Sequence, residues 1–153
     1  MNEKLKVEIV IPSDEEGFIL LKCGYCGNFF KIPAQDLNND TILNLYCPCC
    51  GLISDNYLSG DVIYLAQAII NNYGNDIIYD AFKDLGRISK KGVFQLKIEN
   101  IPQHESENFI KTGIEALEIA TFDCCNKNAK IKPLLKMTGC YCPFCGVKEY
   151  DVK

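Results

Sequence analysis

The sequence predicts an α+β fold, in which two small antiparallel β modules are joined by a helical middle segment. Cysteines gather near both ends of the chain, in turns of the C-x2-C type. Apolar residues recur every three or four positions from about residue 60 to 85, which is the spacing of one helix face. Short apolar runs of strand length flank the cysteine turns. The predicted boundaries are 1–58, 59–112 and 113–153.

The N-terminal module reads as strands that alternate with cysteine turns. Residues 6–12 alternate in polarity and predict a strand that ends at a proline. After a turn, the apolar run 18–22 leads into the first cysteine turn, and 29–32 leads out of it. A polar loop over 35–40 follows, and a third run, 42–46, returns to the second cysteine turn.

Two C-x2-C pairs separated by twenty residues predict one metal site in this module. Thiolates from two such turns converge on a cation in tetrahedral geometry, and a glycine after each pair supplies the positive φ that reverses the chain. The expected ligands are Cys23, Cys26, Cys47 and Cys50. Cys49 is at the tip of its turn, and we expect a spare thiol that faces outward. Metal binding should supply much of the folding free energy, on the order of 10 kcal/mol.

The middle segment predicts one helix over 60–85, with a break at Gly74 as an alternative. Its apolar stripe either packs between the two modules or forms a dimer or partner contact, and the sequence leaves both open. Residues 93–99 alternate and predict a strand. The polar stretch 100–108 predicts a linker, in which the only histidine, His104, is expected to be a solvated loop residue rather than a ligand.

The C-terminal module predicts a second, imperfect metal site. The strand that enters it is expected within 114–122, with a short helical start as the alternative. An ungapped alignment sets Phe122 opposite Cys23, so the usual leading ligand is missing. Three ligands are expected at equivalent positions, and the fourth is Cys124 or Cys140. We favour Cys124, because a shortened turn can aim it inward; Cys140 should face the same side as the ligand two residues later. The equivalent ligands are Cys125, Cys142 and Cys145.

Composition limits the classes of function. The chain of 153 residues carries a formal net charge of −4 and ten cysteines. Its N-terminal segment has no apolar stretch suited to a signal peptide or membrane span, so we expect a cytoplasmic protein without membrane association. Thiols are kept reduced there, which favours metal binding over disulfides.

Residues 121–153 are basic, with six lysines against three acidic residues. Lysines interleaved with aromatic residues suit single-stranded nucleic acid or backbone contacts, so nucleic-acid binding is one alternative function. The candidate contacts are Lys127, Lys130, Lys132, Lys136 and Lys148.

The cysteine turns resemble those of zinc ribbons and rubredoxin-like proteins, and the C-P-x-C-G halves at Cys47 and Cys142 also resemble the transcription-factor-B type of ribbon. The resemblance covers 18–53 with all four ligands and 117–150 with a departure at the first turn. It implies two zinc ribbons and two Zn²⁺ ions per chain, with iron as an alternative at the first site. A second site without metal also stays open.

A closed set of four thiolates leaves no coordination position for water or substrate. The sequence also lacks a Ser/His/Asp set and a phosphate-binding glycine loop, and the acidic turn 14–16 is expected to be a solvated surface. We therefore expect a non-catalytic adaptor that binds another protein, with a homodimer through the helix as one form. Nucleic-acid binding and electron transfer by iron, as in rubredoxin, are the alternatives.

Overall fold

The structure is a computed structural model that describes residues 6, 8–89, 102–111 and 116–153. It is α+β and contains two compact units, one of residues 1–60 with 110–153 and one of residues 61–109. Within the described ranges, the strands are β1 (Phe18–Lys22), β2 (Phe29–Pro33), β3 (Glu118–Phe122), β4 (Lys127–Ile131), β5 (Cys140–Tyr141) and β6 (Lys148–Glu149). The helices are α1 (Ala34–Leu37), α2 (Gly60–Ser89) and α3 (Pro133–Thr138).

The first unit is built on a four-stranded antiparallel sheet with the order β1-β2-β4-β3. One hairpin, β1 and β2, belongs to residues 8–58, which we call the N-terminal module. The other, β3 and β4, belongs to residues 116–153, the C-terminal module. The hairpins join where Lys31 of β2 pairs with Lys130 of β4. The two modules therefore share one sheet instead of forming separate ones.

The modules are related by an approximate two-fold axis. Lys31 and Lys130, which pair across the sheet, are equivalent positions in the ungapped alignment. A second contact has the same symmetry. The N–H of Tyr46 donates to the carbonyl of Pro143 at 2.9 Å, and the N–H of Tyr141 donates to the carbonyl of Pro48 at 2.9 Å. Because each module offers the same surface to the other, the contact is of the isologous kind found in symmetric dimers.

Two glycines make this symmetric contact close. Gly51 and Gly146 have φ values of 71° and 76°, in the left-handed region that favours glycine. A Cβ on Gly51 would come within 2.8 Å of the Tyr141 ring, and one on Gly146 would come within 2.8 Å of the Tyr46 ring. Both glycines are therefore required by backbone conformation and by packing across the contact.

One hydrophobic core serves both modules. Phe30 and Ile32 from β2 are almost fully buried, as are Phe122 from β3 and Ile131 from β4. Apolar burial of this kind is the main favourable term in folding, and here it depends on both hairpins at once.

The strands predicted at 18–22 and 29–32 are confirmed, and the strand predicted within 114–122 is confirmed from Glu118 onward. Two predicted strands are wrong. Residues 8–12 pair with no described strand, and residues 42–46 contribute only the bridge between Tyr46 and Ile53. The second run has no buried face to hold it in a sheet, since Leu43 is 89% exposed. The predicted strand 93–99 lies outside the described residues.

The second unit contains α2, which runs without a break through Gly74 and extends beyond the predicted end at 85. One glycine costs a helix about 1 kcal/mol, and the asparagine, tyrosine and aspartate residues beside it are weak helix formers too. Tertiary contacts of the helix must therefore offset this cost. Residues 104–107 lie along one side of the helix. The Asn72 amide donates to the carbonyl of Glu105 at 3.0 Å and accepts from the Glu105 N–H at 2.7 Å. His104 bonds Asp76 at 2.8 Å in an exposed setting.

Candidate metal centres

Four sulfurs converge in the N-terminal module. The Sγ atoms of Cys23, Cys26, Cys47 and Cys50 all lie within 4.8 Å of one another. Cys23 is 3.8 Å from Cys50, and Cys26 is 3.5 Å from Cys47. Four thiolates around one zinc or iron ion, with metal–sulfur bonds of about 2.3 Å, would be separated by about 3.8 Å. The spacing and the donor set therefore suit a metal ion.

Tight backbone turns present these sulfurs. The N–H of Gly27 donates to the Cys23 carbonyl at 3.0 Å, and the N–H of Gly51 donates to the Cys47 carbonyl at 2.8 Å. The N–H of Tyr25 lies 3.4 Å from the Cys23 sulfur and donates to it. Such donors stabilise negative charge on the sulfur, which is the form that binds a metal.

Four sulfurs also converge in the C-terminal module. The Sγ atoms of Cys124, Cys125, Cys142 and Cys145 lie within 4.8 Å of one another, and Cys124 is 3.4 Å from Cys145. Cys140, the alternative fourth ligand, is not in this group. Its side chain is 1% exposed and packs in the hydrophobic core.

The first cysteine turn of the C-terminal module has the same length as its counterpart. Phe122 pairs with Lys127 around four intervening residues, as Cys23 does with Asn28. The expectation of a shortened turn is therefore wrong. Cys124 takes the position of Tyr25 and still brings its sulfur into the group, while fully buried Phe122 takes the position of Cys23.

Asn126 has the left-handed φ of 51° that Gly27 adopts, at 71°, in the other module. Asparagine is one of the few residues with a side chain that tolerates this conformation. The turn is thus conserved in shape between the two modules although three of its four residues differ in type.

Burial and mutual proximity oppose ionisation of most of these thiols. Burial raises the pKa of Cys142 to about 12, and burial and the neighbouring thiols raise the pKa of Cys47. Cys26 and Cys145 differ. Although burial opposes the ionisation of Cys26, hydrogen bonds from Asn28 and from other thiols lower its pKa to about 6. Burial also opposes the ionisation of Cys145, but backbone and thiol hydrogen bonds lower its pKa. A cation within each group would favour the thiolate forms, and its binding would displace protons.

The two groups are close neighbours in the fold. Cys47 lies between Tyr46 and Pro48, and Cys142 lies between Tyr141 and Pro143, which are the four residues of the reciprocal backbone contact. Both cysteines are fully buried. A change at one candidate centre therefore acts directly on the backbone that presents a sulfur to the other.

Three of the candidate nucleic-acid lysines bond across the contact between modules. Lys127 forms an ion pair with Asp36, and Lys132 donates to the Asn28 side chain at 2.6 Å. Lys130 pairs with Asp14 at 2.8 Å. It also pairs with Glu16. Two of these three lysines thus hold acidic residues of the N-terminal module.

The other two lysines have partners within their own module. Lys136 donates to the Ile119 carbonyl at 3.0 Å. Lys148 lies 5.4 Å and 5.2 Å from the ring centroids of Tyr141 and Tyr150, within range of cation–π attraction.

Asp14 is a residue whose importance the sequence did not reveal. Its carboxylate lies between Lys31, at 2.9 Å, and Lys130, at 2.8 Å, which are the two lysines at the two-fold axis. Burial alone would raise its pKa, but the hydrogen bonds from Lys130, Lys31 and the Phe18 N–H hold that pKa well below the usual range. The expectation that the acidic turn 14–16 is a solvated surface is therefore wrong for Asp14.

No protein-family model matches this chain, and neither does any curated protein or solved structure. Among the described residues, no helix has both the length and the apolar character needed to cross a bilayer.

Proposed function

We propose that the chain is a non-catalytic protein-interaction module whose first unit is a pair of zinc ribbons. Two groups of four thiols, each with spacing suited to tetrahedral coordination, support the assignment of two structural Zn²⁺ ions. All-thiolate coordination also suits iron, but rubredoxin-like electron carriers usually have neither a second ribbon nor a long helix.

The observation that carries the interaction function is an apolar stripe along α2. Ile63, Ile70 and Ile77 are 37%, 60% and 50% exposed. They follow one another at intervals of seven residues, so they lie on one side of the helix over about 21 Å at 1.5 Å per residue. Tyr73, between the last two, is also exposed. An exposed apolar stripe of this length is typical of a surface that binds a partner.

The opposite side of α2 already has a partner within its own unit. Asn72 is buried beneath Glu105 and Glu107, to which its side chain is hydrogen-bonded. At 3.6 residues per turn, Ile63 and Ile70 are about half a turn away from Asn72. The stripe therefore faces away from the segment that covers the helix. Its form suits an amphipathic helix of another protein, bound along the same axis.

Nucleic-acid binding is less well supported. All five candidate lysines make contacts inside the protein, so a polyanion would have to compete with acidic or aromatic partners at three of them and with neutral oxygen acceptors at the other two. A titration with single-stranded and double-stranded oligonucleotides at low salt tests this function. Saturable binding that Lys148→Ala weakens would favour it over the adaptor role.

The main experiment compares the wild-type chain with the double variant Ile70→Asp, Ile77→Asp and with a control, Asn75→Asp, on another side of the same helix. Each tagged chain is cross-linked in its own cells, and its neighbours are identified by mass spectrometry. We expect one set of neighbours to be lost from the double variant and kept by the control. Circular dichroism checks that all three chains keep their helix.

Identical neighbours for all three chains, or no neighbours for the wild type, would reject the proposal that the apolar stripe of α2 binds a partner. Sedimentation over a range of concentrations tests whether the partner is a second copy of this chain. A dimer that forms in the wild type and is lost in the double variant would show that it is. Elemental analysis should give two zinc ions per chain, and a coloured preparation containing iron would favour electron transfer instead.

A further inference from the structure

A fifth thiol lies beside the first candidate centre. The side-chain amide of Asn28 donates to the Cys49 sulfur at 3.0 Å and to the Cys26 sulfur at 3.4 Å. Because one nitrogen atom touches both sulfurs, the two are neighbours. Cys26 belongs to the four-sulfur group, whereas Cys49 does not. The prediction of an outward-facing spare thiol therefore describes Cys49 only in part.

Exposure distinguishes Cys26 from its companions. Cys26 is the exposed member of the group, while Cys23 and Cys47 are buried. Cys49 is partly exposed. A small polar molecule can therefore reach this side of the centre without opening the core.

The C-terminal module has no such pair. The residue equivalent to Cys49 is Phe144, whose ring lies 5.3 Å from the Lys127 ammonium group. The two modules share their backbone plan, so this substitution provides an internal comparison. Any chemistry that needs the fifth thiol should be confined to the first centre.

We propose that Cys26 and Cys49 form an oxidisable dithiol, which a hydroperoxide converts to a disulfide and thereby opens the first centre. The Cys26 thiolate attacks the peroxide, and the O–O bond breaks to give a sulfenic acid and hydroxide or alkoxide. The Cys49 thiol then condenses with the sulfenic acid, forming the S–S bond and releasing water. Two sulfurs are oxidised by two electrons in total, and one peroxide is reduced.

The disulfide removes one of the four thiolates from the centre. Three remain, so the site holds a metal less tightly. Asn28 also links this place to the other module, because its side-chain Oδ1 accepts a hydrogen bond from the Lys132 ammonium group at 2.6 Å. Oxidation of the pair thus acts on both the metal centre and the contact between modules. The loss of metal rests on the zinc assignment above, whereas the disulfide does not.

The experiment treats the zinc-loaded full chain with hydrogen peroxide and measures two outcomes. A chromogenic chelator follows zinc release, and peptide mapping without reduction identifies the disulfide. We expect fast release of one zinc per chain, with a cross-link between Cys26 and Cys49. Cys49→Ser should lose both the fast phase and the cross-link. Cys140→Ala, which removes a thiol outside both groups, should keep both.

Equally fast release from Cys49→Ser, or a cross-link that joins other cysteines such as Cys23 and Cys26, would overturn the proposal. If the purified chain contained no zinc, the zinc assignment would fail, but the peptide map would still test the formation of the disulfide. Its Cys26–Cys49 cross-link would support the dithiol, and its absence would reject it. The zinc content of Cys49→Ser before oxidation shows whether that variant is folded.

Discussion

The two modules follow one backbone plan but place a ligand differently. In the N-terminal module, the first position of the first turn holds the thiol of Cys23. In the C-terminal module, that position holds the core residue Phe122, and the thiol has moved two residues along to Cys124. This difference shows that the turn can present a sulfur to the candidate centre from more than one of its positions.

The modules also differ in charge, and the difference has a structural use. Lys127 and Lys130 bond to Asp36 and Asp14 across the contact between modules. A symmetric pair would instead place Lys31 opposite Lys130 without compensation, and like charges directly opposite each other are destabilising. Asp14 therefore makes the contact asymmetric at the two-fold axis, where its carboxylate neutralises the facing charges of Lys31 and Lys130.

The largest expected effect comes from a ligand at the two-fold contact. Cys47→Ser should lower metal content by more than one ion per chain, because Cys47 lies within the backbone contact that also presents Cys142. Cys50→Ser should cost one ion, because the Cys50 backbone makes no hydrogen bond to a described residue across that contact. Losing a structural site removes on the order of 10 kcal/mol of folding free energy. Elemental analysis of both variants makes the comparison, and equal losses would show that the centres are independent.

The relocated ligand gives the next effect. Cys124→Ser should lower metal content by one ion per chain, since its sulfur is in the second group. Cys140→Ala should leave metal content unchanged, since its thiol packs in the core. Elemental analysis with a thermal melt tests both variants. Metal loss from Cys140→Ala but not from Cys124→Ser would make Cys140 the fourth ligand.

Phe122 and Cys23 are equivalent in position but not in role. Phe122→Ala should destabilise the chain by about 4 kcal/mol through the cavity it leaves, while both metals stay bound. Cys23→Ala, which removes less volume, should lose one metal. Denaturant unfolding and metal analysis of the two variants separate the roles. Metal loss from Phe122→Ala at denaturant concentrations where the variant stays folded would contradict this account.

Asp14→Asn should destabilise the first unit by about 3 kcal/mol, because it leaves two largely buried ammonium groups opposite each other. The control Glu15→Gln changes an exposed carboxylate of the same turn and should be nearly neutral.

The same pair tests the pH dependence. The folded pKa of Asp14 is below its ordinary value of about 3.9, so its ion pairs stabilise the fold above that pH and are lost as the pH falls below it. The stability difference between the Asn variant and wild type should therefore shrink on acidification below about pH 4. Chemical unfolding over a pH series measures it, and a constant difference would show that the charge of Asp14 is not responsible.

The smallest effect concerns the turn itself. Gly27→Ala should destabilise the fold by about 1 kcal/mol, because positive φ is unfavourable for a residue with a side chain. The cost stays small because a Cβ there meets no atom within 4 Å. Asn126→Gly should be close to neutral, since both residues tolerate that conformation. Thermal melts of the two variants compare the turns, and a large loss in Asn126→Gly would show a further role for the Asn126 side chain.

Much of the local structure was predictable. The hairpins at 18–22 and 29–32, the long helix from residue 60 and the first set of four cysteines all follow from spacing along the chain. The predictions that failed needed distant information. Residues 42–46 have the polarity of a strand but find no partner, and Asp14 appears as an ordinary surface acid until Lys31 and Lys130 are placed around it.

The sequence by itself determined the cysteine turns and the chemistry of the thiols they present, because a C-x2-C turn is formed by neighbouring residues. Only the tertiary structure decided that Cys124 and not Cys140 joins the second group, since both lie within reach along the chain. It alone also decided that the two hairpins merge into one sheet about a two-fold axis. That pairing connects residues about a hundred positions apart, and its geometry depends on the combined packing of both modules.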